Sequence, residues 1–245
     1  MPELPEVETI RRQLAQKLIG KKLNDKKIAG VKRRAKILDI EFVGKSHLLF
    51  HLKLTGQLIF NGTPGKYTRQ VFNFDDGSCL IFNDVRKFGW HKIVSESQLK
   101  DIEKKLGPEP FDITEKQLVL MLAKRPKAKI KTVLMDQKFI AGIGNIYADE
   151  ILFASRIHPL RLASALQPKE IISLLGKIKK ILTAAIKAGG SSVSDYLDGF
   201  GQKGTYSRQH KVYQKTGQPC LKCGAKIERL KISGRSAHFC SKCQK

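Results

Sequence analysis

Two places in this chain carry residues whose types and spacing can do chemistry. The last 26 residues hold four cysteines in the pattern Cys220-x2-Cys223-x16-Cys240-x2-Cys243. Two Cys-x2-Cys knuckles either side of a hairpin-sized spacer are what a tetrahedral Zn²⁺ site needs. The same thiols could form disulfides in a secreted protein, and a zinc ribbon could serve only to fold the tail. At the other end, Met1-Pro2-Glu3-Leu4-Pro5-Glu6 places a proline behind a methionine that is commonly trimmed. Trimming would free a secondary amine at Pro2. An α-amine titrates at roughly 7.7–8, against about 10.4 for lysine, so far more of it is neutral and nucleophilic near neutrality. Such an amine can attack a sugar C1′ to give a Schiff base, and a nearby carboxylic acid such as Glu3 can protonate a departing group or an opening ring. The plainer reading is helix punctuation, with the prolines and glutamates serving only as caps.

Two further segments are candidates for recognition. Gly142-Ile143-Gly144-Asn145 reads as a turn between helices that lets the backbone approach a ligand closely, and N–H groups at a helix start suit phosphate. It also reads as an ordinary interhelical turn capped by Asn145. Asn83-Asp84-Val85-Arg86-Lys87-Phe88-Gly89-Trp90 sets an arginine beside aromatics in a loop, a pairing that can fill a base stack from which a nucleotide has been withdrawn. Alternatively, Phe88 and Trp90 belong to a core and Arg86 is a solvated charge.

Composition narrows the partner. The chain has 46 Lys and Arg against 22 Asp and Glu, a formal charge of +24. That excess favours a polyanion. It is also uneven: from Gly201 onward there are 11 basic residues and one acid, Glu228. The acidic N-terminus has no apolar run and reads as no signal peptide, and no stretch approaches a membrane span. These features point to the cytoplasm and favour zinc over disulfides. Cys79, in the apolar run Cys79-Leu80-Ile81-Phe82, reads as a buried small hydrophobe.

The elements that must position these residues follow from periodicity. Pro5 to Ile19 reads as a helix with Val7, Ile10, Leu14 and Leu18 on one face and Gly20 as its stop. From Lys22 to Val94 short β-rich segments alternate with turns: 37–42, 48–52, 57–60, 71–74 and 80–82, suggesting a two-layer sandwich. Beyond Leu106-Gly107-Pro108-Glu109-Pro110 the pattern turns helical, with a capping box at Thr114 and Gln117 and a long amphipathic run from Pro168 to Ala188. A glycine-rich loop follows. The cysteine spacer predicts two strands turning at Ser233-Gly234, with Arg235 at the tip. The expected fold is α+β and multidomain: residues 1–107 a helix and β-sandwich, 108–211 a helical domain with the loop, 212–245 the metal hairpin.

Taken in order, these motifs resemble the formamidopyrimidine-DNA glycosylase family of bacterial repair enzymes. The resemblance runs the whole length, through Met1-Pro-Glu-Leu-Pro-Glu-Val-Glu-Thr, Arg33-Arg34-Ala35-Lys36, His51-Leu52, Asp84-Val85-Arg86-Lys87-Phe88-Gly89, Leu106-Gly-Pro-Glu-Pro, Leu134-Met135-Asp136-Gln137, Gly142-Ile-Gly-Asn-Ile-Tyr-Ala, Ile157-His158-Pro159 and the four-cysteine tail. It implies an N-terminal helix on a β-sandwich, a helix–two-turn–helix domain and a zinc finger, with damaged duplex DNA bound in a cleft and one structural Zn²⁺. It implies Pro2 as nucleophile, Glu3 as the acid at the sugar, and Glu6 as support. Lys36, Asn145 and Arg235 would bind phosphates, and Lys131 would lie near the lesion. Leu54, Arg86 and Phe88 would fill the gap left by the extruded base, Arg86 facing the orphaned cytosine. The stretch from about Asp195 to Tyr206 resembles a loop that covers the lesion. The implied activity is removal of oxidised purines, followed by β,δ-elimination that nicks the strand, by a monomer. Leu4 and Gly204-Thr205-Tyr206 look more like this branch than like the sister branch acting on oxidised pyrimidines. A non-catalytic zinc-dependent DNA-binding protein is the alternative from another class. The chain departs from the family in two ways. Leu54 stands where methionine is usual, and the stretch from Asn24 to Arg33 is short by a couple of dozen residues.

Overall fold

The computed structural model describes residues 1–245. Helix α1 (Leu4–Leu18) carries Pro5 in its first turn, buries Val7, Ile10, Leu14 and Leu18, and ends before Gly20, whose φ of +91° suits glycine. The chain then forms β1 (Lys22–Leu23), β2 (Lys26–Arg34), β3 (Ile37–Phe42), β4 (Ser46–His51), β5 (Gly56–Phe60), β6 (Thr68–Asn73), β7 (Cys79–Asp84) and β8 (Trp90–Ser95). One sheet runs in the order β1-β2-β3-β4-β8, the other in the order β5-β7-β6. Both bury one core with the apolar face of α1, in which Phe50 meets Phe72 and Phe82 edge-on at 5.4 and 5.9 Å.

Five of these strands match the runs expected from sequence. Three were not individually expected. In β2, Lys26, Lys27, Lys32, Arg33 and Arg34 mask the inward Ile28 and Val31, and a bulge between Ile28 and Gly30 breaks the alternation. Strand β8 is an edge with exposed His91, Lys92 and Ile93, and two-residue β1 is too short to show a period.

The remaining helices are α2 (Glu96–Glu103), α3 (Glu115–Ala123), α4 (Ile130–Met135), α5 (Asn145–Ala154) and α6 (Pro168–Lys187). The Thr114–Gln117 capping box opens α3 as expected. Strands β9 (Glu228–Ile232) and β10 (Arg235–Phe239) form an antiparallel hairpin. Its turn is Ser233-Gly234, with φ of 47° and 80°, both in the left-handed region that two-residue hairpins favour.

By compactness the chain forms two units: residues 1–105 with 185–208, and residues 106–184 with 209–245. This grouping cuts across the three segments read from sequence. Residues 185–208 join the first unit because the loop docks on α1 and β5, as described below. The cysteine segment joins the helices through a small core of Phe153, Val212, Cys220, Ile227 and Cys240. No helix is long and apolar enough to cross a membrane.

Candidate DNA-repair site

In the first unit the N-terminal turn is buried. Pro2, Glu3 and Glu6 are all buried, with Glu3 and Glu6 each 1% exposed. Glu6 sits at the third helical position, so its carboxylate reaches back to accept from the Glu3 amide at 2.8 Å. Its other oxygen accepts from the Ser191 amide at 2.8 Å. The Tyr196 hydroxyl donates to the Glu6 carbonyl at 3.3 Å and to the Gly189 carbonyl at 3.1 Å. Burial, then the charges of Glu6 and Asp198, raise the Tyr196 pKa well above its ordinary value, so it remains a neutral donor. At Gly190 (φ +83°) a Cβ would come within 2.9 Å of the Glu6 side chain. Only glycine lets the chain pass there.

Lys36 lies in the two-residue turn between β2 and β3 and is buried; Ala35 beside it adopts φ 55°. Arg33 holds this turn by donating to the Ala35 carbonyl at 2.9 Å and to Glu8 at 3.1 Å. Burial opposes ionisation of Glu8, but hydrogen bonds from Arg11 and Arg12 and the charges of Arg11 and Arg33 outweigh it, holding the carboxyl near 2. Glu8 therefore ties α1 to the Lys36 turn as a carboxylate. His51 is pushed down to about 3, by burial first and then by the Lys53 and Lys36 charges. It is neutral at physiological pH, and its Nδ1 accepts from the Lys53 amide at 3.0 Å.

Leu54, Arg86 and Phe88 come from two loops joined by one carboxylate. Asp84, 2% exposed, accepts from the Gly89 amide at 2.6 Å, the Arg86 amide at 3.2 Å and the Thr55 hydroxyl at 2.5 Å. The Arg86 amide also reaches the Thr55 oxygen at 3.0 Å. Gly89 lies so close that a Cβ would meet the Asp84 carboxylate at 2.9 Å. Phe88 is 56% exposed, and the Arg86 guanidinium lies 5.2 Å from its ring centre. An exposed aromatic stacked with an arginine is not a core residue. Leu54 is half-buried in the turn before β5. Sequence reading assigned no role to Asp84 or Thr55. Only the Asp84 bond to the Arg86 amide two residues on has a local sequence signal; the contacts with Thr55 and Gly89 have none.

The glycine-rich loop folds around Asp198. Its carboxylate accepts from the Phe200 and Gln202 amides at 3.0 and 2.8 Å and from Gln13 at 2.7 Å. Gly199 docks on α1 by donating to Gln13 at 2.8 Å, and its carbonyl accepts from the Phe60 amide at 2.8 Å.

In the second unit Gln137 shapes the turn before α5. It accepts from the Gly142 amide at 2.9 Å and donates to the Ile143 carbonyl at 2.7 Å. Gly144, not Asn145, is the N-cap, and Asn145 is the first helical residue. The Asn145 Nδ2 donates to Ser236 Oγ at 3.2 Å, while its Oδ1 is buried without a partner. Turning the amide over would let Oδ1 accept from Ser236 and leave Nδ2 as a donor for an anion.

Arg235 opens β10 and is exposed, as expected for the hairpin tip. Lys131 is 1% exposed, paired with Asp149 at 2.6 Å and donating to the Ser236 carbonyl. Asp149 also accepts from the His238 amide and Nδ1 at 3.0 and 2.8 Å. Lys131 thus fastens the hairpin to α5. Beside it, Glu150 accepts from the Lys211, Val212 and Tyr213 amides.

The four cysteine sulfurs lie within 4.8 Å of one another, with Cys220–Cys243 at 3.8 Å and Cys223–Cys240 at 3.4 Å. A tetrahedral ion with Zn–S bonds of about 2.3 Å sets its sulfurs roughly 3.8 Å apart, so the donor set fits one Zn²⁺. The finger is anchored at its far end too. Gln244 accepts from the Cys240 amide at 2.9 Å and donates to the Ile157 carbonyl at 2.8 Å.

Two buried carboxylates at the start of α1, a stapled aromatic–arginine loop and a four-cysteine zinc hairpin are features of a DNA-handling protein. Three family models match the chain. They are the formamidopyrimidine-DNA glycosylase N-terminal domain (20–91), its H2TH domain (106–196), and the zinc finger found in FPG and IleRS (217–245). A formamidopyrimidine-DNA glycosylase of Solibacter usitatus is 42% identical over 268 aligned positions, covering all of both chains, and one from Listeria innocua is 40% identical with the same coverage. The Lactococcus lactis Fpg solved with abasic-site DNA superposes with a TM-score of 0.92 at 36% identity over 99% of each chain. MutM solved with carbocyclic 8-oxo-G DNA gives 0.91 at 37% over the whole of both. The chain belongs to the formamidopyrimidine-DNA glycosylase family. It is a zinc-finger DNA glycosylase of base-excision repair.

Proposed function

We propose that this enzyme removes oxidised purines, 8-oxoguanine and formamidopyrimidines, from duplex DNA and then nicks the strand. The buried N-terminal turn carries the reading. With Met1 removed, the Pro2 amine is the nucleophile at C1′ of the damaged nucleotide. Its attack releases the base and leaves an imine between Pro2 and the opened sugar. Glu3, next in sequence, is the acid that delivers a proton to the opening ring, and Glu6 fixes the turn by holding the Glu3 and Ser191 amides. Loss of the C2′ proton beside the imine expels the 3′ phosphate, and loss of the C4′ proton, acidified through the new C2′=C3′ double bond, then expels the 5′ phosphate.

Lys36, Asn145 and Arg235 bind phosphates, and Lys131 acts by positioning the hairpin that carries Arg235. Leu54, Arg86 and Phe88 occupy the gap in the stack, with Arg86 offering donors to the cytosine left behind. Leu54 has about the volume of methionine and fills the same space with less adaptability. Zn²⁺ supplies structure only, holding the β9–β10 hairpin. The enzyme acts as a monomer in the bacterial cytoplasm, on the nucleoid.

The test is borohydride trapping on duplexes carrying 8-oxoguanine opposite cytosine or an oxidised pyrimidine. Covalent capture and nicking mainly with 8-oxoguanine, both lost in Pro2→Gly and in protein retaining Met1, is the expected result. Capture only with the pyrimidine lesion assigns the sister specificity; no capture with either by trimmed, zinc-loaded protein refutes the catalytic reading.

A further inference from the structure

Strand β6 stands at the edge of the three-stranded sheet, with β7 as its only neighbour. The Phe74 amide donates to the Ser78 carbonyl at 2.9 Å, directly opposite it in the ladder. Hydrogen-bonded and non-bonded pairs alternate in antiparallel ladders, so Phe72 bonds β7 while Val71, Asn73 and Asp75 turn their backbone groups outward. Strand β1, which belongs to the other sheet, touches the end of this edge. The Asp75 amide donates to the Lys22 carbonyl at 3.1 Å, and the Lys22 amide to the Asp75 carboxylate at 2.9 Å. Strand β1 then stops. Asn24 and Asp25, both in the left-handed region (φ 47° and 62°), turn the chain away into β2. The 245 residues align with the Solibacter usitatus relative over 268 positions, so that protein has chain with no counterpart here.

An open cavity of about 510 Å³ runs along the vacated position, from Leu23 past Val71 and Phe72 to His91 and Lys92 on the edge strand β8. Its lining includes apolar Leu48, Val71, Phe72 and Ile93; Leu48 is buried, and His91 meets the Phe72 ring edge-on at 5.3 Å. Partial desolvation against its ring neighbours lowers the His91 pKa, so the ring is uncharged near neutrality. The Gln70 side chain donates to the outward Val71 carbonyl at 3.0 Å, in the position a neighbouring strand's amide would take. No acidic residue lines the cavity, and Lys92 does.

We propose that this vacant strand position is a docking site for an extended, acidic segment of a partner protein with alternating apolar side chains. The segment adds to β6 through the Val71 and Asn73 backbone, sets its apolar side chains on Phe72 and His91, and meets Lys92 with its acids. A second copy of the chain is disfavoured, because each carries +24.

The test uses a fluorescein-labelled peptide alternating aspartate with isoleucine or phenylalanine, titrated with full-length zinc-loaded enzyme and read by anisotropy. Saturable binding is expected, weakened at least about tenfold when alternate peptide amides are N-methylated, because the donors to both the Val71 and Asn73 carbonyls are lost. Val71→Pro, at an edge where proline is tolerated, and Lys92→Glu should weaken it likewise while leaving DNA nicking intact. Should Val71→Pro fail to fold, the methylated peptide on the unaltered enzyme decides. Absence of saturable binding, or equal binding of the methylated peptide, overturns the proposal. So does self-association in sedimentation that Val71→Pro abolishes, since a second copy would then hold the site.

Discussion

A single buried carboxylate decides the shape of the loop that carries Arg86 and Phe88. Asp84 receives three donors, from Arg86, Gly89 and Thr55, and has no cationic partner among its hydrogen bonds. Backbone N–H groups stabilise a carboxylate well because they are fixed and cannot be solvated competitively. Asp84→Asn keeps the volume but replaces one acceptor oxygen with a donor facing an N–H. Leaving a buried amide unpaired should cost about 1–3 kcal/mol, visible as a lower urea midpoint. The larger effect should be kinetic. Excision of 8-oxoguanine, which requires a filled gap in the stack, should fall far more than nicking at a preformed abasic site, where no base must be displaced. Equal losses on the two substrates would make Asp84 merely structural. Lys131 shows a second buried tie at the same scale: it pairs with Asp149 and donates to the Ser236 carbonyl.

Elements were legible where one physical demand controls the pattern. The α1 face, the Ser233-Gly234 turn and the cysteine knuckles each answer to one demand: burial at helical spacing, left-handed φ, or tetrahedral sulfur. Strand β2 was hidden because its charged residues and bulge interrupt the alternation. Nor could sequence show that 185–208 would pack with α1, since the bonds from Gln13 to Asp198 and Gly199 span some 185 residues and follow no local period. The N-terminal turn was legible as helix punctuation, and Glu6 does cap the Glu3 amide; what no local pattern shows is its burial and the Ser191 contact to Glu6. The cysteine element gives a prediction of its own. The hairpin has only five residues per strand, and an isolated ribbon of that length is marginal in water. Zinc therefore supplies much of its folding free energy. Chelation or Cys240→Ala should disorder the hairpin and weaken duplex binding, while the cooperative unfolding of the β-sandwich persists in near-ultraviolet dichroism. Unchanged DNA affinity in zinc-free protein would refute the link between finger and duplex.

Across the whole molecule, 46 basic against 22 acidic residues set a field that attracts any polyanion, but a field alone does not make a repair enzyme. The distinction between diffuse attraction and seated phosphate contacts is measurable. Each phosphate neutralised at a fixed site releases counterions, so the slope of log K against log salt steepens by about 0.9 per contact. Arg235 is exposed at the start of β10, where the buried Lys131–Asp149 pair fastens the hairpin to α5. Arg235→Ala should thus flatten the slope by about one unit and weaken undamaged and damaged duplexes alike. Phe88→Ala should leave the slope untouched, because it removes no charge, yet lower excision of 8-oxoguanine. An Arg235→Ala slope equal to that of the unaltered enzyme would mean that this arginine only adds to the general field. The hairpin would then have to act through shape rather than through a seated phosphate. A Phe88→Ala enzyme with full excision would remove the exposed ring from the extrusion step and leave Leu54 and Arg86 to fill the stack.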